Sequence, residues 1–127
     1  MANKTILIID DEADLLEALD TALTDAGFET LTASHGAAGL ELAFAHKPNL
    51  ILLDIIMPQM SGHEVLAKLR RDPWGKEVPV LFLTNSDDPK NITAGFENEG
   101  SGYLIKSNTS LDTIVKKVKQ YLGGYHD

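Results

Sequence analysis

Four polar positions in this chain each close an apolar run. Asp10-Asp11 follows KTILII, Asp54 follows NLILL, Thr84 follows PVLFL, and Lys106 follows GYLI. Short runs of β-branched and aliphatic residues between helix-patterned segments read as buried strands of a parallel sheet. The carboxyl ends of such strands share one edge, and that edge is where sites form. Three carboxylates, a hydroxyl and an ammonium gathered there suit a divalent cation and a phosphoryl group.

Each position also has a plainer reading. Acids at a helix N-terminus suit the macrodipole, which accounts for Glu12 and Asp14. It accounts poorly for Asp10, because adjacent acids at a strand end crowd like charges and raise each other's pKa. A bound cation would relieve them. Asp54 alone could be a turn aspartate ahead of Pro58, or a ligand, a nucleophile or both. Thr84 alone is a residue common in strands, and Lys106 alone an edge lysine. Their weight is joint: an ammonium pairs with an anion held on Asp54, and a hydroxyl donates to it. His35, His46, His63 and His126 lack metal-ligand spacing and read as surface residues. Lys116, Lys117 and Lys119 suit a helix C-terminus.

The elements that must position these groups alternate along the chain. Strands are predicted over about Lys4–Ile9, Phe28–Ala33, Asn49–Asp54, Val78–Leu83 and Gly102–Lys106, the third being the most apolar and hence central. A helix over about Ala13–Ala26 carries Leu15, Leu16, Leu19 and Leu23 on one face and stops at Gly27. A short Ala-rich helix spans about Ala37–His46. Ser61-Gly62-His63-Glu64 is a capping box that opens a helix to about Arg71. Asp72-Pro73-Trp74-Gly75 is a turn. Asp88-Pro89 supplies an N-cap and a first-turn proline for a helix to about Glu99. The last helix shows Leu111, Ile114, Val115, Val118 and Leu122 at i, i+3, i+4, i+7 spacing. Five βα units make an α/β, doubly wound sandwich.

The bulk properties exclude several classes. The 127 residues make one domain with a proper core, and 43% hydrophobic content argues against disorder. No stretch approaches the ~20 apolar residues that span a bilayer, and no signal peptide is visible, so neither membrane nor secretion is expected. The absence of cysteine agrees with a reducing cytoplasm. A net charge of −8 argues against direct contact with nucleic acid. No G-x-x-x-x-G-K-[ST] or G-x-G-x-x-G loop occurs, and no Ser/His/Asp or Cys/His set falls at strand ends.

The segments ILIIDDE (6–12), LLDIIMPQMSG (52–62), VLFLT (80–84) and YLIKS (103–107) resemble the receiver domain of two-component response regulators, over nearly the whole chain. The resemblance implies a flavodoxin-like fold with strand order 2-1-3-4-5. It implies that Asp54 takes a phosphoryl group from a sensor histidine kinase or phosphotransfer protein. Mg²⁺, with Mn²⁺ as a substitute, would sit on Asp11, Asp54 and the backbone carbonyl of Ile56, with Asp10 reaching it through water. Lys106 would pair with the phosphoryl group, and Thr84 would move to it with Tyr103 following as the switch. The face of the fourth helix, fifth strand and fifth helix would meet a downstream protein target. The chain looks like a stand-alone receiver of the chemotaxis type, or a receiver cut from a longer regulator, and like a phosphoacceptor rather than a multiple-turnover enzyme.

Four positions depart from the family pattern. Ser107 replaces a proline usually joined by a cis bond; a cis bond without proline costs ~3–4 kcal/mol, so Lys106–Ser107 is either trans or strained. Asn85 stands where a very small residue is usual. Gly100-Ser101-Gly102 replaces a more acidic run before Tyr103. Ile56 replaces a polar side chain that helps position hydrolytic water, which implies a long-lived phosphoryl group. A pseudo-receiver that binds partners without phosphorylation is the main alternative. An aspartyl-phosphate phosphatase would need D-x-D after the first strand, and a flavin carrier a Ser/Thr-rich phosphate loop; neither is present.

Overall fold

The computed structural model describes residues 3–84, 102–106 and 109–122. The strands are β1 (Thr5–Ile9), β2 (Glu29–Ala33), β3 (Leu50–Leu53), β4 (Val80–Thr84) and β5 (Gly102–Ile105). The helices are α1 (Ala13–Asp25), α2 (Gly36–His46), α3 (Gly62–Arg70) and α4 (Leu111–Tyr121), the last being the fifth helix of the sequence pattern. The expected helix from Asp88 to Glu99 lies outside the described residues. So do Asn85, Ser107, Gly100-Ser101 and His126, and with them the question of the Lys106–Ser107 bond. All the pairings are parallel, in the order β2-β1-β3-β4-β5, as expected, with β3 central.

The continuous apolar runs are explained by a sheet covered on both faces. Side chains alternate between faces along a strand. Leu7 and Ile9, Ile51 and Leu53, and Val80 and Phe82 fall in one core cluster with Leu40, Ala43, Val65, Leu66 and Leu69 of α2 and α3. Ile6 and Ile8, Leu50 and Leu52, and Leu81 and Leu83 fall in the other, with Leu19 and Leu23 of α1 and Ile114 and Val118 of α4. Burying one such aliphatic side chain contributes about 1.5–3 kcal/mol, so each face is anchored separately. The expected leucine face of α1 holds, whereas Leu111, in the first turn of α4, is exposed.

Local signals set the element ends. Gly27, at φ 100°, follows α1 in the left-handed region that glycine tolerates. Ser61 Oγ accepts from the Glu64 N–H at 3.2 Å and starts α3. Asp72 Oδ1 accepts from the N–H groups of Trp74 (2.9 Å) and Gly75 (3.4 Å), holding the expected turn. Arg70 clamps the same loop by donating to the carbonyls of Gly75 and Val78. β4 starts two residues later than predicted. Pro79 has no N–H to give, and only its carbonyl enters the ladder, accepting from Ile51 N–H at 3.0 Å. The strand therefore extends through Thr84.

His63 corrects the sequence reading that placed all four histidines on the surface. Its ring packs edge-on against Phe82, with centroids 5.2 Å apart, and both ring nitrogens are buried without a hydrogen-bond partner. Burial lowers its pKa, which disfavours the imidazolium. It stands at the second position of α3, where the pattern of Val65, Leu66 and Leu69 turns that face inward.

α3 begins at a close backbone approach. The Gly62 N–H donates to the Ile55 carbonyl at 2.8 Å, and a Cβ on Gly62 would stand 2.2 Å from the Asp54 carbonyl oxygen. At Gly36 a Cβ would meet only side-chain atoms, Val65 Cγ2 at 2.9 Å and Met60 Sδ at 3.1 Å. Gly62→Ala is expected to cost about 1–3 kcal/mol, because backbone cannot swing aside. Gly36→Ala should cost clearly less. Urea denaturation of both variants checks the order; equal costs would refute it.

Candidate functional site

Strand alternation decides which groups converge. Asp10 continues the Ile6, Ile8 series and Asp54 the Leu50, Leu52 series, so both leave the sheet on the α1/α4 face. Lys106 continues from Leu104, which packs on that same face. β1 and β3 are neighbours, and the Asp54 N–H donates to the Ile9 carbonyl at 2.9 Å, which ties the two strand ends together. Thr84 and Tyr103 follow the other parity: Thr84 continues Val80 and Phe82, and Tyr103 packs against the α2/α3 core. Their strands pair, with Phe82 opposite Tyr103 and Thr84 opposite Ile105.

The Lys106 ammonium is the hub of the site. Nζ lies 2.8 Å from Asp10 Oδ2, 2.8 Å from Glu12 Oε1 and 3.4 Å from Asp54 Oδ2. Asp10 and Asp54 are 1% and 4% exposed. Asp10 Oδ1 accepts from the Glu12 N–H at 2.8 Å. Asp11 points outward and is exposed, yet it makes a hydrogen-bonding contact with the Asp54 carboxyl. Thr84 is fully buried at the end of β4. Ile56, two residues past Asp54, is 62% exposed at the surface of the loop.

Burial sets the charge states. Desolvation raises the Asp10 carboxyl above its ordinary range, against the pull of Lys106 and the Glu12 N–H. Desolvation also pushes Asp54 up to about 7; Lys106 opposes this, while the Asp10 charge and the Asp11 contact reinforce it. Desolvation works against the Lys106 ammonium. Its hydrogen bonds to Asp10 and Glu12 and the charges of Asp54 and Asp10 outweigh that and raise its pKa.

One ammonium does not balance the carboxylates around it. One oxygen each from Asp10, Glu12 and Asp54 lies within 4.8 Å of the others, a group able to hold a metal ion. An all-oxygen, carboxylate-rich set fits a hard divalent cation such as Mg²⁺. Glu12 is the member the sequence reading missed, having been assigned to the helix macrodipole. It occupies the N-cap of α1 but makes no capping hydrogen bond with its side chain. The available signal was its place, one residue beyond the acidic pair at a strand end.

The sequence pattern of the response regulator receiver domain matches residues 6–119. The chain is 38% identical over 116 residues to the phosphate regulon transcriptional regulatory protein PhoB of Pseudomonas aeruginosa, covering 91% of this chain and 51% of that protein. Among solved structures, chemotaxis protein CheY4 of Vibrio cholerae superposes with a TM-score of 0.89 at 28% identity, covering 94% of this chain and 98% of that one. A CheY-like receiver domain protein from Methanospirillum hungatei gives 0.89 at 26% identity, with 95% and 94% covered. The chain belongs to the receiver-domain family of two-component response regulators. It spans about half the length, or less, of the curated relatives it matches.

The raised Asp54 pKa gives a pH signature. The folded carboxyl binds its proton up to about pH 7, whereas an unfolded one releases it near 3.8. Between those values the folded state holds more protons, so this group's contribution to stability falls as pH rises. In metal-free buffer, Asp54→Asn is expected to stabilise the protein more at pH 8 than at pH 5. Thermal unfolding with a chelator present measures this. An equal gain at both pH values would show that Asp54 is not held above its ordinary range.

Proposed function

We propose that Asp54 accepts a phosphoryl group from the phosphohistidine of a sensor histidine kinase or phosphotransfer protein, in a Mg²⁺-dependent reaction that switches a protein-binding surface. The observation that carries this reading is a buried carboxylate at the end of the central strand, with the Lys106 ammonium 3.4 Å away. The Asp54 oxygen forms the new P–O bond while the P–N bond breaks and the imidazole nitrogen leaves with its electron pair. Lys106 then faces the phosphoryl oxygens and pairs with them. Asp10, Asp11, Asp54 and the Ile56 carbonyl would hold Mg²⁺ or Mn²⁺, in a pocket where the Asp10 and Asp54 oxygens already lie close together. When bound, the ion neutralises charge on the transferring phosphoryl group. In the metal-free protein burial pushes Asp54 up to about 7. Its ionised, nucleophilic form is favoured by any cation beside it.

The division of residues between sheet faces supports the switching part. Thr84 and Tyr103 share the α2/α3 side, and Tyr103 is half-buried against the Phe82 core. A hydroxyl drawn toward a phosphoryl group at the strand end would leave space that Tyr103 can enter, altering the surface of β5 and α4. This makes the domain a signalling switch rather than a multiple-turnover enzyme. No helix among the described residues is long and apolar enough to cross a membrane, and the reading places the domain in the cytoplasm with its kinase. Asp10, Asp54 and Lys106, buried together, favour it over a phosphorylation-independent binding module.

Intact-mass spectrometry after incubation with acetyl phosphate and Mg²⁺ tests the proposal. One phosphoryl group should be gained, and none by Asp54→Asn or with a chelator; no gain in the folded protein would refute it. The lifetime of that group tests Ile56. An exposed isoleucine cannot orient an attacking water, so Ile56→Asn is expected to shorten the lifetime, by less than the ~100-fold or more that a positioned proton-transfer group supplies. An unchanged decay would remove Ile56 as the cause.

A further inference from the structure

Glu12 is held where it can control Lys106. Its backbone is extended at the N-cap of α1 (φ −85°, ψ 104°), and its N–H is taken by Asp10 Oδ1, which fixes it against the pocket. Its carboxylate makes no cap and reaches the Lys106 ammonium at 2.8 Å instead. The Glu12 side chain is 49% exposed and that of Lys106 only 6%. Asp10 and Asp54 therefore hold the ammonium from within, and Glu12 closes over it from the solvent side. The three carboxylates that Lys106 touches are the same three that could hold a metal ion. Its Nζ is a tethered cation seated in that group.

We propose that Glu12 is a positioning residue that latches Lys106 in the resting site and releases it when a phosphoryl group arrives on Asp54. The inference rests on the phosphoacceptor reading above. An ammonium has three donors, and in the resting site three carboxylates surround it. A phosphoryl group turns the Asp54 carboxylate into an acyl phosphate and brings a charge of roughly −1.5 to −2 with three strong acceptor oxygens, which compete with Asp10 and Glu12 for the ammonium. Asp10 is buried, and leaving its charge unpaired is costly. Glu12 is half exposed, and water can replace the ammonium there at little cost. Glu12 is thus the partner that lets go. In the resting protein it holds Lys106 back, and a half-exposed pair of this kind changes an equilibrium by about two- to fivefold.

The test uses Glu12→Gln, Glu12→Asp and, as a control elsewhere on α1, Glu17→Gln, an exposed position. Two quantities are read. One is the acylation rate of Lys106 by acetic anhydride, mapped by peptide mass spectrometry without phosphodonor or metal. The other is the acetyl phosphate concentration for half-maximal phosphorylation rate at saturating Mg²⁺. Glu12→Gln should speed Lys106 acylation about two- to fivefold and lower the half-saturating concentration by a similar factor. Glu12→Asp keeps the charge at the mouth but is one methylene too short for the contact, so it should behave like Glu12→Gln. If Glu12→Asp behaves like the unaltered protein, the effect is the field of a surface charge and the latch is wrong. Unchanged Lys106 acylation in Glu12→Gln also overturns it. A loss of more than tenfold in Mg²⁺ affinity by calorimetry would make Glu12 a metal ligand instead. If the unaltered protein takes no phosphoryl group, the phosphoacceptor reading fails, and the release step with it. The acylation rates would still decide whether Glu12 holds Lys106.

Discussion

The site depends on keeping two carboxylates out of water at the end of a sheet. Desolvating an ionised carboxylate costs several kcal/mol unless a partner repays it, and Asp10 and Asp54 are both almost fully buried. Lys106 is the repayment, and it arrives at the end of β5. β5 is an edge strand, its residues are only half-buried, and β4 is its one neighbour in the sheet. Two buried carboxylates are therefore paired with a group carried at the end of an edge strand. Stability is lowest where backbone is exposed and contacts are few. Movement of β5 is thus the cheapest way to change the electrostatics of the pocket, and a change in the pocket is felt first by β5.

The alternation of the parallel sheet gives this coupling a direction. Asp10, Asp54 and Lys106 leave their strands on the α1/α4 face, while Thr84 and Tyr103 belong to the α2/α3 face. Both sets reach the same carboxyl edge. A chemical event at the first set can shift the second without disturbing either core, because Leu81 and Leu83 fill one face and Val80 and Phe82 the other. Packed interiors resist graded deformation, so the edge of the sheet is a better place for movement than its centre.

Much of this was legible in the sequence. Uninterrupted apolar runs can be buried only by a sheet covered on both faces, and polar residues closing four such runs mark one edge. That logic placed Asp10, Asp54, Thr84 and Lys106 at one sheet edge without any contact information. The strand 4 boundary was misjudged because apolar character continues through Val78, while the ladder obeys the missing N–H of Pro79. Glu12 was assigned to the helix because a macrodipole argument accounts for any acid in a first turn; only the position of Lys106, distant in sequence, shows where its carboxylate goes. His63 was misplaced for the opposite reason. A polar residue type suggested the surface, but its helix phase, beside Val65, Leu66 and Leu69, put it against Phe82.

The raised Asp54 pKa and the trio around Lys106 express one balance. A site with enough cations of its own would hold Asp54 fully ionised and have no use for a metal. A site with none would leave Asp54 protonated and unreactive. Here burial pushes Asp54 up to about 7, and the single ammonium it shares with Asp10 and Glu12, 3.4 Å away, offsets that only in part. One added cation beside Asp54 would lower that pKa and favour the ionised carboxylate. The placement of Glu12 follows from the same economy of charge. It draws part of the ammonium's pairing outward to solvent, where it can be surrendered, and so keeps Lys106 from neutralising Asp54 completely.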